Sequence, residues 1–207
     1  MSTADTREGH PEPARAPDEV LCRLAKEARA LDEAISDAVA STPTPTLDVP
    51  LRWVSNAANY GRLWVVIAAA LGVVGGSRGR RTAVRALTAL SVTSVTANLV
   101  LKEILPRRRP LRANVTASRA ARMPTSSSFP SGHTASGFAF ATAVTAEFPL
   151  LAVPLFGLAT LVGYSRVHTG VHYPTDVIAG ATLGFGVGTV VREATLRVGP
   201  LARRSIA

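Results

Sequence analysis

Five apolar runs follow one another closely after residue 49, and they constrain the fold more than any other feature of the sequence. They cover residues 63–76, 83–101, 134–148, 148–164 and 177–191. A bilayer-spanning helix needs about 20 mostly apolar residues, with roughly 17 as the lower limit. Only the second and fourth runs reach that length without their flanks. Because buried helices of soluble proteins rarely follow one another so closely, the pattern favours an all-α transmembrane helical bundle with five short spans.

The first 48 residues have a different character. Residues 1–17 are polar and proline-bearing, which predicts a disordered tail, and they lack a signal-peptide pattern. Residues 18–40 place apolar side chains at helical spacing, which indicates an amphipathic helix too charged to cross a bilayer. The sequence STPTPT at 41–46 should end that helix. We therefore divide the chain into a tail (1–17), an amphipathic helix and linker (18–48), a membrane-embedded domain (49–194) and a basic cytoplasmic tail (195–207).

Charge is distributed unevenly and predicts an orientation. Residues 1–48 hold 5 basic and 10 acidic residues, whereas the remainder holds 18 basic and 4 acidic ones. Arginines cluster at 78–85 and again after the last run, and the positive-inside rule places both clusters in the cytoplasm, separated by four spans. Residues 102–133 and 165–176 then lie on the outer face of the cell membrane. The first of these segments carries seven basic residues, which taken alone would favour the reverse orientation. That conflict disappears if these charges serve a binding site.

Composition also excludes several classes of function. The arginines lie between apolar runs and no nucleic-acid-binding motif is present, so we expect a membrane and a phosphorylated ligand as partners rather than nucleic acid. Cys22 is the single cysteine, which excludes an internal disulfide and a cysteine-based zinc cluster. Gly180, Gly184 and Gly188 have the four-residue spacing that lets helices pack closely in lipid. The sequence does not indicate an oligomeric state.

Three short motifs lie at the edges of the apolar runs on the predicted outer face. KEILPRRRP begins at Lys102, PSGH covers residues 130–133, and SRVHTGVHYPTD covers residues 165–176. Taken alone, the first could be a chance match in an arginine-rich chain. The second could be a helix cap, and the third a salt-bridged helix start. Their order, and their common position on one face, indicate a functional site.

The residue types in these motifs suit a phosphate ester. Lys102, Arg109 and Arg166 supply positive charge, and the guanidinium group matches phosphate oxygens bidentately. Ser131 and Gly132 stand at a predicted helix start, where backbone amides and the helix dipole attract anions. Such electrostatic stabilisation is usually the largest contribution to phosphoryl-transfer catalysis.

Two histidines can divide the proton and covalent chemistry. A neutral imidazole can attack phosphorus when a carboxylate holds its other nitrogen, and Asp176 lies four residues after His172. His133 would then protonate the leaving alkoxide and afterwards activate water.

This combination resembles the type 2 phosphatidic acid phosphatase family, which is related to the vanadium haloperoxidases. The resemblance covers residues 51–191 and all three motifs. It implies a haloperoxidase-like phosphatase core of about six helices and metal-independent hydrolysis of phosphomonoesters or diphosphates, without a cofactor. It also implies a phosphohistidine on His172, Asp176 as its orienting partner and His133 as general acid. The phosphate-binding residues implied are Lys102, Arg109, Ser131, Gly132, Ser165 and Arg166.

Three other interpretations also fit the sequence. His168, His172 and Asp176 have i, i+4, i+8 spacing and could bind a metal on a continuous helix, although Gly170 and Pro174 interrupt that helix. A second reading is a non-catalytic membrane protein that binds phospholipid headgroups, and a third is a vanadate-dependent peroxidase. Phosphatidic acid, diacylglycerol pyrophosphate, phosphatidylglycerophosphate and polyprenyl phosphates share one headgroup chemistry. We expect the loop 111–129, with Arg112, Arg119 and Arg122, to form the rim of the headgroup pocket.

Overall fold

The computed structural model describes residues 17–111 and 115–204, which form seven helices and contain no strand. The predicted tail 1–17, apart from its last residue, lies outside the described residues. Short 3₁₀ turns at Asn59–Gly61 and Pro149–Leu151 precede the third and sixth helices. The helices are α1 (Pro17–Ser41), α2 (Pro45–Ala57), α3 (Arg62–Val74), α4 (Gly76–Ile104), α5 (Gly132–Thr145), α6 (Ala152–His168) and α7 (Pro174–Arg204).

Helix α5 is the centre of the bundle and packs against α4, α6 and α7. All faces of the helix carry buried residues, and many of these are alanine, glycine or threonine. Small side chains let neighbouring helices approach closely. At Gly137 a β-carbon would lie 2.7 Å from the indole ring of Trp64, and that ring packs 5.3 Å from the ring of Phe140. The core is therefore built from short side chains around one aromatic pair.

The close packing predicted for the glycines of α7 is confirmed. A β-carbon at Gly180 would lie 2.5 Å from the carbonyl oxygen of Ser131, and one at Gly188 would lie 2.8 Å from Thr142 Cβ. Gly184 faces the backbone of Ala135 in the same way. A larger side chain at these positions would push α7 away from α5.

The structure corrects the expectation of five spans. Three helical segments are long and apolar enough to cross a membrane, namely Gly76–Ile104, Pro149–His168 and Pro174–Thr195. A fourth span is possible only if α2 and α3, which are bent by 63°, cross as one unit. Helix α5 has 14 residues, or about 21 Å at 1.5 Å per residue, which is shorter than the hydrocarbon core. The third apolar run is therefore a buried central helix.

The predicted amphipathic helix is present as α1, but the linker after it is shorter than expected. Helix α2 begins at Pro45, inside the segment 41–48 that we expected to be linker. Proline is well tolerated in the first turn of a helix, because the amide it lacks would have no intrahelical partner there. The STPTPT sequence therefore ends one helix and begins the next.

Helices α4 to α7 alternate in direction, which separates the arginine clusters from the three motifs. Arg78 and Arg85, near the start of α4, bind Glu147 just after α5, at 3.4 Å and 3.1 Å. Thr195 on α7 lies beside Arg81 near the same start of α4. The opposite end of the bundle holds the end of α4, the start of α5, the end of α6 and the start of α7.

Candidate active site

A cavity of about 670 Å³ opens where these four helix ends converge. Six of the nine residues predicted for the site line it: Lys102, Arg109, Gly132, His133, Arg166 and His172. Arg122 adds a fourth cationic side chain. Among the described residues that line the cavity, none carries a carboxylate. The cavity is thus suited to an anion, and it contains both histidines of interest.

The side chain of Lys102 is fixed by the turn that precedes it. Its Nζ donates to Asn98 Oδ1 at 2.7 Å and lies 3.4 Å from Ser126 Oγ. The chain passes through a π-helical turn, Thr96–Leu101, immediately before this lysine. Such turns occur often at functional sites because they redirect side chains. Here the turn ends one residue before the lysine whose ammonium group enters the cavity.

Arg109 is held by backbone carbonyls. Its Nε donates to Ser126 O at 3.0 Å, its Nη1 to Val171 O at 2.9 Å and its Nη2 to Ser127 O at 3.0 Å. Nη1 also lies 3.4 Å from Nε2 of His172. The guanidinium group is therefore preorganised beside the imidazole, as an anion-binding cation should be.

Arg166 shapes the loop that carries His172. It lies in the last turn of α6, where its carbonyl accepts the backbone N–H groups of Val171 at 3.0 Å and His172 at 3.1 Å. Its guanidinium donates to the Ser55 hydroxyl of α2. One arginine thus lines the cavity with its side chain and positions the histidine loop with its backbone.

Asp176 lies behind His172, as predicted from the spacing. The carboxylate is fully buried, and its Oδ2 is 3.5 Å from His172 Nδ1, longer than a typical N–H···O hydrogen bond. The Ser128 hydroxyl and the Tyr173 backbone N–H, at 2.9 Å, donate to Oδ2, and Arg107 Nη1 donates to Oδ1 at 2.9 Å. Within the described part of the chain, His172 Nδ1 has no hydrogen-bond partner, and this carboxylate is the acceptor it faces.

The imidazole of His172 is neutral at physiological pH. Burial lowers its pKa to about 4, with Arg166 and Arg109 acting in the same direction, while the adjacent Asp176 carboxylate opposes the shift. The folded protein therefore binds fewer protons at His172 than the unfolded chain between pH 4 and 6.5. A neutral ring with Nδ1–H directed at Asp176 leaves a lone pair on Nε2, the nitrogen beside Arg109.

His133 has a partner that the motifs did not indicate. Its Nε2 lies 2.9 Å from Oδ1 of Asn59, a residue of the 3₁₀ turn between α2 and α3. An amide oxygen accepts hydrogen bonds and cannot donate them, so this contact fits a ring that carries a proton on Nε2. Asn59 itself also lines the cavity. The contact keeps a proton donor at the cavity surface.

The hydroxyl groups of Ser131 and Ser165 are not among the cavity-lining groups. Both serines are fully buried. Ser131 Oγ pairs with Thr134 Oγ1 at 2.9 Å, and its backbone N–H donates to the Asp176 carbonyl at 2.9 Å. The Ser165 hydroxyl donates to Val162 O at 2.6 Å. Here the two serines hold the helix ends in place, and Gly132 is the residue that brings the start of α5 to the cavity.

Comparison with known proteins identifies the architecture that carries this site. The family model of the PAP2 superfamily matches residues 82–199, more than half of the chain. The chain belongs to the PAP2 superfamily. Decaprenylphosphoryl-5-phosphoribose phosphatase of Mycobacterium tuberculosis is 33% identical over 132 residues, covering 62% of this chain and 69% of that protein. Lipid A 1-phosphatase of Rhizobium etli is 46% identical over 57 residues, which are 28% of this chain and 25% of that protein. The match thus spans about a quarter of the length of that relative.

Two solved structures have a similar helical arrangement. The transmembrane PAP2-type phosphatidylglycerolphosphate phosphatase of Bacillus subtilis superposes with a TM-score of 0.64 at 27% identity, covering 83% of this chain and 88% of that one. A bacterial vanadium-dependent iodoperoxidase superposes with a TM-score of 0.53 at 16% identity, covering 88% of this chain and 51% of the other. The second likeness concerns the fold alone. The predicted all-α, haloperoxidase-like core is confirmed.

The loop 111–129 of this PAP2 protein does two different things. Arg122, Met123, Pro124, Thr125 and Ser126 line the cavity, in keeping with the predicted rim. Arg119 does not belong to the rim, because its side chain is 2% exposed and its Nε binds Asp48 Oδ1 at 2.9 Å on α2. Arg112 lies outside the described residues. One half of the loop anchors it to α2, and the other half borders the cavity.

His168 is separated from the cavity histidines. Helix α6 ends at His168, and α7 begins only at Pro174, so the continuous helix required by the metal-binding reading is not formed. His168 Nε2 instead lies 3.1 Å from Oδ1 of Asp48. Within residues 17–111 and 115–204, no group of three or more histidine, cysteine or acidic residues is arranged to hold a metal ion.

Sequence reasoning missed the residues that support the motif side chains. Asn98 could have been found, because it precedes Lys102 by four residues and therefore shares its helix face. Asn59, Ser126 and Ser128 carry no local signal, since each meets its partner across 24 to 74 residues of sequence. These contacts depend on how the helices pack.

Proposed function

We propose that this protein is a membrane lipid phosphatase that hydrolyses a phosphomonoester or diphosphate headgroup through a phosphohistidine, without a metal ion. The proposal is carried by one observation: four cationic side chains and two imidazoles line one cavity to which the described residues contribute no carboxylate. The names of the relatives support the substrate class, since they act on lipid A 1-phosphate and on a decaprenyl-linked phosphoribose.

In the proposed first step, Nε2 of His172 attacks phosphorus and the bond from phosphorus to the lipid oxygen breaks. His133 enters this step as an imidazolium: burial and the surrounding cations lower its pKa, and the negative charge of the bound phosphoryl group opposes that shift. Its Nε2 proton passes to the leaving alkoxide, which leaves a neutral ring. Asp176 stabilises the positive charge that develops on the ring of His172, as the carboxylate of a catalytic triad does. Lys102, Arg109 and Arg166 balance the charge on the phosphoryl oxygens.

In the second step, water replaces the imidazole on phosphorus. His133, which has lost its proton, accepts one from the attacking water. The bond between phosphorus and Nε2 of His172 breaks, and inorganic phosphate leaves. Both imidazoles then have their starting protonation states, so the cycle needs no other reactant.

A phosphate-release screen tests this function. The purified protein in detergent is incubated with phosphatidic acid, diacylglycerol pyrophosphate, phosphatidylglycerophosphate, undecaprenyl phosphate and undecaprenyl diphosphate. We expect release of inorganic phosphate from at least one of them, unchanged by a chelator and inhibited by orthovanadate. Loss of activity in chelator, with metal binding by calorimetry, would favour the metal-dependent alternative. Binding of these lipids without phosphate release would favour the non-catalytic one.

We further propose that the cavity faces the outside of the cell membrane. The arginine clusters lie at the opposite end of the bundle, and the positive-inside rule places them in the cytoplasm. Of the seven basic residues in 102–133, Lys102, Arg109 and Arg122 line the cavity, and Arg107 and Arg119 are paired with carboxylates. Most of these charges therefore have a local role that does not depend on membrane orientation.

The single cysteine offers a test of this orientation. Cys22 is exposed on α1, a helix that contacts α7 through a bond between Asp32 and Thr175 at the cavity end. In right-side-out membrane vesicles we expect a membrane-impermeant thiol reagent to modify Cys22. A Cys22→Ser, Ser77→Cys variant moves the thiol to the exposed start of α4 and should react only after permeabilisation. The reverse pattern would place the cavity in the cytoplasm.

A further inference from the structure

Asp32 is a buried acid on a helix that is otherwise mostly exposed. Its side chain is 2% exposed, whereas Leu31 before it is 60% exposed and Glu33 after it is also exposed. Aspartate is almost never fully buried unless its charge is paired. The position lies outside residues 82–199, the part matched by the family model. Its burial therefore calls for an explanation from its contacts.

Both oxygens of the Asp32 carboxylate contact Thr175, in the first turn of α7. The backbone N–H of Thr175 donates to Oδ1 at 2.9 Å, and the Thr175 hydroxyl donates to Oδ2. The first amides of a helix have no intrahelical partner, so Asp32 caps α7 from a helix 143 residues away in sequence. The negative charge of Asp32 also interacts favourably with the positive N-terminal end of the α7 dipole.

Arg107 links this cap to the carboxylate behind His172. Its Nη2 binds Asp32 Oδ2 at 2.7 Å and its Nη1 binds Asp176 Oδ1 at 2.9 Å. The guanidinium carbon lies 4.3 Å from the centroid of the Tyr173 ring, which limits its movement. Asp32, Arg107, Asp176 and His172 thus form a series in which each group contacts the next.

The two carboxylates share the charge of one guanidinium group. While Asp32 binds Nη2, the bond from Arg107 to Asp176 uses only Oδ1, and Oδ2 continues to face His172 Nδ1. Without the charge of Asp32, a bidentate Arg107–Asp176 pair would become favourable. That pair would draw the carboxylate away from the imidazole and weaken its support of a ring that becomes positive on attack.

We propose that Asp32 is a positioning residue of the reaction, which acts through Arg107 and Thr175 to hold Asp176 behind His172. This inference rests on the proposed function, because it concerns the same imidazole. It gives α1 a role in the reaction through contacts with other residues, although no described residue of α1 lines the cavity. The phosphate-binding cations are not part of the series, so substrate binding should not depend on it.

The test compares Asp32→Asn and Asp32→Glu with Glu33→Gln, an exposed control one residue away. Outer partners that orient metal-ligating histidines contribute about 10- to 100-fold, and we expect Asp32→Asn to lower kcat by a similar factor. KM should stay unchanged, and the rate of phosphohistidine formation in a single turnover should fall with kcat. Asp32→Glu should recover part of kcat, and Glu33→Gln should match the wild type.

Two outcomes would overturn the inference alone. If Asp32→Asn keeps the kcat of an active wild type, Asp32 is not a positioning residue. If it lowers the unfolding temperature but leaves the single-turnover rate per folded molecule unchanged, Asp32 is merely structural. A wild-type protein that releases no phosphate from any tested lipid would instead overturn the proposed function, and the inference with it.

Discussion

Replacing His172 with alanine is expected to lower phosphate release from a lipid phosphate by at least about 10⁴-fold, because it removes the nucleophile itself. The ring is 2% exposed and lies between two functional contacts, Asp176 behind it and Arg109 at Nε2. Its low pKa keeps Nε2 unprotonated at neutral pH, so the imidazole can attack phosphorus without first losing a proton. Initial rates of phosphate release measure the loss, and the unfolding temperature confirms that the variant is folded.

The matched variant His133→Ala distinguishes a nucleophile from a general acid. With 4-nitrophenyl phosphate, whose leaving group needs little protonation, His133→Ala should still transfer the phosphoryl group to His172. The second step should then be slow, because no group at position 133 accepts the proton of the attacking water. We expect acid-labile, base-stable phosphate to accumulate on His133→Ala and none to form on His172→Ala. Full activity of His172→Ala, or covalently bound acid-labile phosphate on that variant, would refute the mechanism.

The three motifs predicted the cavity well because their spacing follows from local chemistry. Lys102 and Arg109 flank the end of α4, and the pair His172 and Asp176 spans the start of α7. Each set needs only a helix end and a short loop to direct its groups to one side. The folded bundle then brings both sets to the same cavity. A charged side chain beside an apolar run has few stable positions other than the end of the helix.

Motif spacing could not predict which atom of a residue would be used. Ser131 lies at a helix start, as expected, yet its N–H binds the Asp176 carbonyl and its hydroxyl binds Thr134. Ser165 likewise donates to a carbonyl of its own helix. The backbone of Ser131 therefore links the start of α5 to α7, and the Ser165 hydroxyl serves its own helix, α6.

Apolarity predicted the helices but not their depth in the bundle. The run at 134–148 is as apolar as its neighbours, yet α5 is enclosed by three other helices and is too short to span a bilayer alone. Its content of alanine, glycine and threonine was the available signal, since small residues are typical of crowded helix contacts. Contacts such as Asp32 with Thr175 join residues 143 positions apart and could be found only from the packed structure.

The second large effect is expected away from the cavity, at Arg119. Its Nε binds Asp48, its Nη1 donates to Val39 O at 2.6 Å, and its Nη2 donates to Thr42 O and the Thr44 hydroxyl, both at 2.8 Å. Arg119→Ala would leave the Asp48 carboxylate, which is 6% exposed, without its guanidinium partner. Breaking a buried ion pair by removing one member costs about 3–5 kcal/mol, and we expect the free energy of unfolding to fall by that amount.

Arg122 provides the control, because it belongs to the same loop but is exposed and lines the cavity. Arg122→Ala should leave the unfolding midpoint in detergent unchanged and raise KM for the lipid phosphate, since it removes a cation from the cavity. Arg119→Ala should lower the midpoint and also weaken substrate binding, because Ser126, which holds Lys102 and Arg109, lies on the loop that Arg119 fastens to α2. An unchanged midpoint for Arg119→Ala would mean that the remaining contacts of Asp48, with Thr44 Oγ1 at 3.0 Å and His168 Nε2 at 3.1 Å, compensate for the lost guanidinium group.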